Sequence, residues 1–123
     1  LRAEIEATQF SACHCGMCRR WCGGPPLFST SAKSVSFEGE ENIGRYVSSS
    51  WAERGFCKQC GTLLFYFFKP MGMYSLAVGS LDDAEAFVLS REIFIDNKPD
   101  GYALAGDHPR WTAAETLARV AEM

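Results

Sequence analysis

The sequence is short of several things that would otherwise direct its reading. No apolar run approaches the roughly 20 residues needed to span a bilayer. The longest, Leu63 to Phe68, has the length of a strand, so no membrane partner is expected. Positive charge is not in excess: 12 Lys and Arg stand against 15 Asp and Glu, for a net charge of −3 and a pI of about 5.3. Such a surface repels phosphate backbones, and no basic stripe with interleaved aromatics is present, so nucleic acid is not an expected partner either. Histidine is limited to two residues. None of the serines has an obvious histidine–acid partnership, which leaves a serine hydrolase unsupported. Internal repeats and low-complexity segments are missing. The opening residues, Leu1 to Glu6, alternate charged and apolar side chains and do not read as a signal peptide. The chain starts on Leu1 rather than Met, which leaves room for residues upstream.

What is present is enough for a single domain over residues 1–123. At 47% hydrophobic, a chain of this length can bury about two thirds of its unfolded surface. Its distinctive stretch is Cys13-His14-Cys15-Gly16-Met17-Cys18-Arg19-Arg20, which places three thiols within six positions. A second pair lies downstream in Phe56-Cys57-Lys58-Gln59-Cys60-Gly61-Thr62. Five of the six cysteines thus fall in tight C-x-C or C-x2-C groups, a spacing that suits thiolate–zinc chemistry better than a disulfide framework. Without an export signal, the cytoplasm is the consistent compartment.

The extended backbone of a C-x-C sequence points both cysteines to one face, so His14 is expected to face away from an ion shared by Cys13 and Cys15. The Gly16-Met17 turn then brings Cys18 round to the same ion. Three sulfurs leave a tetrahedral zinc one ligand short. Cys22, four residues on, would be close enough to supply the fourth if the turn is helical, but is read instead as a buried or idle thiol. In the downstream pair, Gly61 permits a positive φ that lets backbone N–H groups point at the sulfurs. Two ligands do not close a tetrahedron, and a single four-cysteine site joining Cys57 and Cys60 to two cysteines of the first cluster stays open on ligand counting.

The remaining pattern is mainly β. Short strands are expected at Arg2–Thr8, at Leu27–Phe28 and Ser34–Phe37 around a Ser-rich turn, and at Arg45–Trp51. Others are expected at Thr62–Phe68, Met73–Val78 and Arg91–Ile95. Arg19–Gly24 reads as one helical turn stopped by Gly-Gly-Pro-Pro. Thr112-Ala113-Ala114-Glu115 fits a capping box before one terminal helix. His108, beside Pro109 in the last loop, is expected in solvent, and Asp82, Asp83 and Asp96 are read as turn-formers.

The sequence of motifs resembles the glutathione-dependent formaldehyde-activating enzyme family, which also includes centromere protein V-like domains. The resemblance rests on Cys13-His14-Cys15-x-x-Cys18-Arg19-Arg20, on Gly55-Phe56-Cys57-x-x-Cys60-Gly61-Thr62-x-Leu64, on Gly79-Ser80-Leu81-Asp82-Asp83 and on Ile93-Phe94-Ile95-Asp96-Asn97-Lys98. It implies a tent-like arrangement of small antiparallel sheets around zinc knuckles. It implies a catalytic zinc on Cys13, Cys15 and Cys18, and a structural one to which Cys57 and Cys60 contribute, for one or two Zn2+ in all. The C-x-C-Gly motif that the family carries on its first strand is missing upstream. The implied activity is that of a carbon–sulfur lyase forming or cleaving S-hydroxymethylglutathione or a related thiol adduct. A zinc ion on three thiolates carries net −1 and suits exchange of a fourth thiolate better than hydroxide formation. Arg19 and Arg20 would offset the cluster's charge or hold a glutathione carboxylate, or else form plain surface ion pairs. The competing reading is a non-catalytic zinc module or glutathione carrier. The sequence sets no oligomeric state.

Overall fold

The computed structural model describes residues 1–122. In chain order it forms strands β1 (Arg2–Ile5) and β2 (Gln9–Cys13), helix α1 (Gly16–Cys22), and strands β3 (Leu27–Ser36) and β4 (Ile43–Val47). Strands β5 (Ala52–Cys57), β6 (Leu63–Phe68), β7 (Met73–Ala77) and β8 (Val88–Ile93) follow, then helix α2 (Ala113–Ala121). The expectation of a mainly β chain with a C-terminal helix holds. The chain divides into two compact units, one of residues Leu1–Thr8 and Ser29–Phe87, the other of Gln9–Phe28 and the segment from Val88 on.

The first unit is an antiparallel sheet in the order β4-β5-β6-β7-β3, with β1 paired to the second half of β3. Its strands exist because β6, Leu-Leu-Phe-Tyr-Phe-Phe, supplies the aromatic side chains that a half-buried pleated surface favours. Phe65, at its centre, is fully buried, as is Leu76, Ala32 lies beside them, and Phe37, Phe67 and Tyr74 pack around the group. Phe37, Phe65 and Tyr74 meet at tilted or edge-on angles, with centroids 5.1–5.7 Å apart. Gly55 lies opposite Phe65 in the register, and a Cβ there would come within 2.2 Å of the Phe65 ring. The glycine is the space that the ring occupies.

Ser-rich segments behave in two ways. Ser29, Ser31 and Ser34 lie inside one ten-residue strand rather than in a turn between two short ones. Pairing to β7 and then to β1 gives the strand backbone partners along most of its length, and this outweighs the turn tendency of serine. Ser48 and Ser49 do turn the chain, bonding to Ala52 O and Trp51 N, and they end β4 at Val47.

In the second unit β2 pairs with β8 in parallel, from Gln9 opposite Val88 to Cys13 opposite Ile93. It is a parallel pair in a chain whose β1–β3, β3–β7, β4–β5, β5–β6 and β6–β7 pairs are antiparallel, as expected. The chain returns to β8 only after α1 and the strands that follow it, a connection long enough for the crossover that a parallel pair requires. Helix α2 begins on the expected capping box: Thr112 Oγ1 accepts from Glu115 N, and the Glu115 carboxylate accepts from Thr112 N. Asp96 adds a further cap by accepting from Ala113 N at 2.8 Å.

Candidate metal centre

Cys13 ends β2 and Cys15 opens α1, so the trio is built where a strand hands over to a helix. Cys15 is the N-cap, in extended backbone, and its sulfur accepts from Cys18 N at 3.4 Å. Arg19 N bonds to Cys15 O at 3.0 Å and closes the first turn. The helix therefore begins at Gly16, three residues before the expected Arg19, because a thiol does the capping that Ser or Asp usually does. Gly23, in the left-handed region at φ +68°, stops it by bonding to Arg19 O.

The sulfurs of Cys13, Cys15 and Cys18 all lie within 4.8 Å of one another. That limit accommodates the roughly 3.8 Å between sulfurs held about 2.3 Å from a tetrahedral zinc, so the donor set fits such an ion. Cys13 and Cys18 are buried with Leu27, and Cys15, Trp21, Cys22, Ile93 and Phe94 pack against them. The Cys15 thiol is held far below its usual range by hydrogen bonds from Cys13 and then Cys18, whereas donating to Cys15 and burial push the Cys13 thiol up. Cys15 is the least buried of the three.

Cys22 does not join this group. Its thiol turns back to the helix carbonyl of Arg19 at 3.8 Å. Arg19 is half-buried and its Nε donates to His14 O at 2.9 Å, which fixes the side chain over the first turn of α1. Arg20 is exposed. Neither arginine forms an ion pair among the described residues.

Cys57 and Cys60 form the anticipated knuckle at the end of β5. Gly61 adopts φ +78° and bonds to Cys57 O, and Cys57 N bonds to Thr62 O, both at 2.8 Å. The Thr62 hydroxyl lies 3.0 Å from Cys60 Sγ, and its donation, with the Thr62 N–H and then the Cys57 thiol, lowers the Cys60 pKa. All six cysteines are free thiols.

His14 does face away from the sulfurs, into a polar cluster absent from the sequence reading. Its Nε2 meets Glu92 Oε1 at 2.7 Å, and its Nδ1 meets Tyr102 Oη at 2.8 Å. The other carboxylate oxygen, Glu92 Oε2, accepts from His108 Nε2 at 2.6 Å and from Arg110 Nε at 2.8 Å. His108 is thus not in solvent as expected; its side chain is 7% exposed. The carboxylate draws it in, which loop chemistry around Pro109 could not indicate. Burial alone would push the Glu92 carboxyl up, but the donors His108 and His14 and the charge of Arg110 outweigh it and hold it below the usual range. One faint signal preceded this. Glu92 lies in phase with Phe94 on the expected strand, a charge at an inward position. Phe94 itself has φ +55°, rare for a bulky residue, and packs on the cysteine cluster.

Fold and trio together define a class: a mainly β protein with a thiolate group able to hold a metal ion. The chain belongs to the glutathione-dependent formaldehyde-activating enzyme family, whose model matches residues 1–97. It is 35% identical over 121 residues to an uncharacterized lyase of Schizosaccharomyces pombe, an alignment covering 98% of this chain and 88% of that protein. A Rhodobacter sphaeroides protein of known crystal structure shares the fold, with a TM-score of 0.55, 20% identity, and 89% and 88% of the two chains covered. Among the described residues no helix is long and apolar enough to cross a membrane.

Proposed function

We propose that this chain is a zinc-dependent carbon–sulfur lyase that forms or cleaves S-hydroxymethylglutathione or a closely related thiol adduct. One observation carries the reading: three sulfurs converge on a common point, and no fourth His, Cys, Asp or Glu ligand joins them among the described residues. Zinc held there would supply a position at which an incoming thiol binds as thiolate near neutral pH. The residues around it suit that task. Cys15 and the more buried Cys13 and Cys18 would hold the ion. Arg19, oriented by the His14 carbonyl, and the exposed Arg20 would offer cations to the carboxylates of glutathione. In the forward direction the glutathione sulfur attacks the formaldehyde carbon, a C–S bond forms, and the carbonyl oxygen takes up a proton. The reverse breaks that bond and releases the thiol and formaldehyde. Cys57 and Cys60 would serve a structural ion, and the free thiols suit the reducing cytoplasm.

The test is a glutathione titration of the cobalt-substituted protein, followed through its thiolate–metal absorption. A saturable change at millimolar glutathione, lost in Cys15→Ser, is expected. An unmoved spectrum removes the lyase reading and leaves a closed zinc module.

A further inference from the structure

The polar cluster behind the trio is elaborate for a surface domain and has no part in the chemistry above. Glu92 is 1% exposed and His14 is fully buried, yet no buried polar side-chain atom in the described structure lacks a partner. The carboxylate accepts on both oxygens, so His14 Nε2, His108 Nε2 and Arg110 Nε must all donate. The Arg110 guanidinium sets a positive charge against the Glu92 carboxylate. The other ring nitrogen, His14 Nδ1, lies 2.8 Å from Tyr102 Oη. Tyr102 is secured in turn by Lys98, whose ammonium lies over its ring at 4.7 Å.

The main chain of Glu92 is held as firmly as its side chain. Glu92 N bonds to Pro109 O at 3.0 Å, and Trp111 N bonds to Glu92 O at 2.9 Å. Its neighbour Ile93 accepts from His14 N at 3.1 Å. His14 is the residue between two of the trio's cysteines. Its amide, its carbonyl (through Arg19 Nε) and both ring nitrogens are therefore all engaged. A residue so held cannot rotate without moving Cys13 and Cys15.

We propose that Glu92, acting through His14, is a positioning residue for the trio, with His108 and Arg110 holding the carboxylate and Tyr102 steadying the far side of the ring. It sets the spread of the Cys13 and Cys15 sulfurs and, through it, the metal affinity of the site. The proposal rests on the reading that the trio holds an ion, but not on what that ion does.

The test uses the full chain carrying Glu92→Gln. Zinc affinity is measured by chelator competition, and the cobalt absorption band is recorded without added thiol. Loss of contacts that orient metal ligands typically weakens affinity by about 10–100-fold, and a drop of that order with a displaced cobalt band is expected. Phe65→Ala, in the sheet core of the other unit, serves as a control for lowered stability. It should lower the melting temperature while leaving the cobalt band at its wild-type position. Should Glu92→Gln fail to fold, Arg110→Gln, at the exposed end of the cluster, should shift the band in the same direction by less. Wild-type affinity and an unmoved band in a folded Glu92 or Arg110 variant overturn the proposal, as does a wild-type chain that binds no cobalt. A wild-type cobalt band indifferent to glutathione would end the lyase reading alone and leave this comparison standing.

Discussion

The two cysteine regions obtain their geometry from different sources. The knuckle at Cys57 and Cys60 is mostly local: one reverse turn, a glycine at φ +78° and backbone bonds within six residues shape it, and Asn42 anchors it from outside by accepting from Lys58 N and Gln59 Nε2. The trio at Cys13, Cys15 and Cys18 spans a strand end and a helix start, and His14, between its first two cysteines, is bonded to a buried carboxylate from β8. Its sulfurs are largely withdrawn from water, whereas Cys60 is exposed and Cys57 half-buried. A turn suffices to present two thiols. The three thiols of the trio come together between a strand end and a helix start and are packed against Ile93 and Phe94 from a distant part of the chain.

The sharpest way to break this comparison is to remove one sulfur from each region. Cys18→Ser should abolish the thiol-responsive cobalt signal, with metal affinity falling by more than the roughly 100-fold that loss of a supporting contact produces. Cys60→Ser should leave that signal in place. Equal loss in both variants would mean that the two regions share one ion. The next largest effect concerns stability. Phe65 is completely buried, and Phe65→Ala should cost about 3–5 kcal/mol in urea unfolding. A cost below about 1 kcal/mol would show that the sheet closes over the cavity.

A smaller effect distinguishes the regions by pH. The Glu92 carboxyl titrates below its usual range in the folded chain. Such a group contributes stability above its unfolded pKa, and the contribution is lost as pH falls through the folded value. The melting temperature should therefore decline from about pH 4.5 downward, and Glu92→Gln should flatten this acid limb. An acid limb unchanged in the variant would assign the decline to other carboxylates.

What could be read from the chain follows the same division. Cys13, Cys15 and Cys18 were legible because their spacing and the turn at Gly16 are local, and so was the knuckle with Gly61. The terminal helix was legible because its capping box lies within four residues. Glu92 was not, since its bond to His14 joins residues 78 apart, and Tyr102 lies 88 residues from the same ring. His108 and Arg110 were hidden for the same reason: a loop beside proline reads as solvent until a buried carboxylate is known to face it. The parallel β2–β8 pair escaped because alternation reveals a strand but not its partner or direction.

The smallest predicted effect lies in that legible helix. Thr112 is a half-buried cap whose hydroxyl accepts from Glu115 N at 3.2 Å, and Glu115 returns a bond to Thr112 N at 3.0 Å. Thr112→Ala should cost about 1 kcal/mol. The box is not the helix's sole anchor, because Asp96 still caps Ala113 N and Thr116 Oγ1 accepts from Phe94 N at 3.4 Å. Phe94 is the residue in the left-handed region that packs on the cysteine cluster. If the cap mattered only to its helix, Thr112→Ala would leave the cobalt band of the trio where it was. A band displaced as far as in Glu92→Gln would instead mean that α2, through Thr116 and Phe94, belongs to the scaffold that spaces the sulfurs, and the local–distant contrast would have to be redrawn around it.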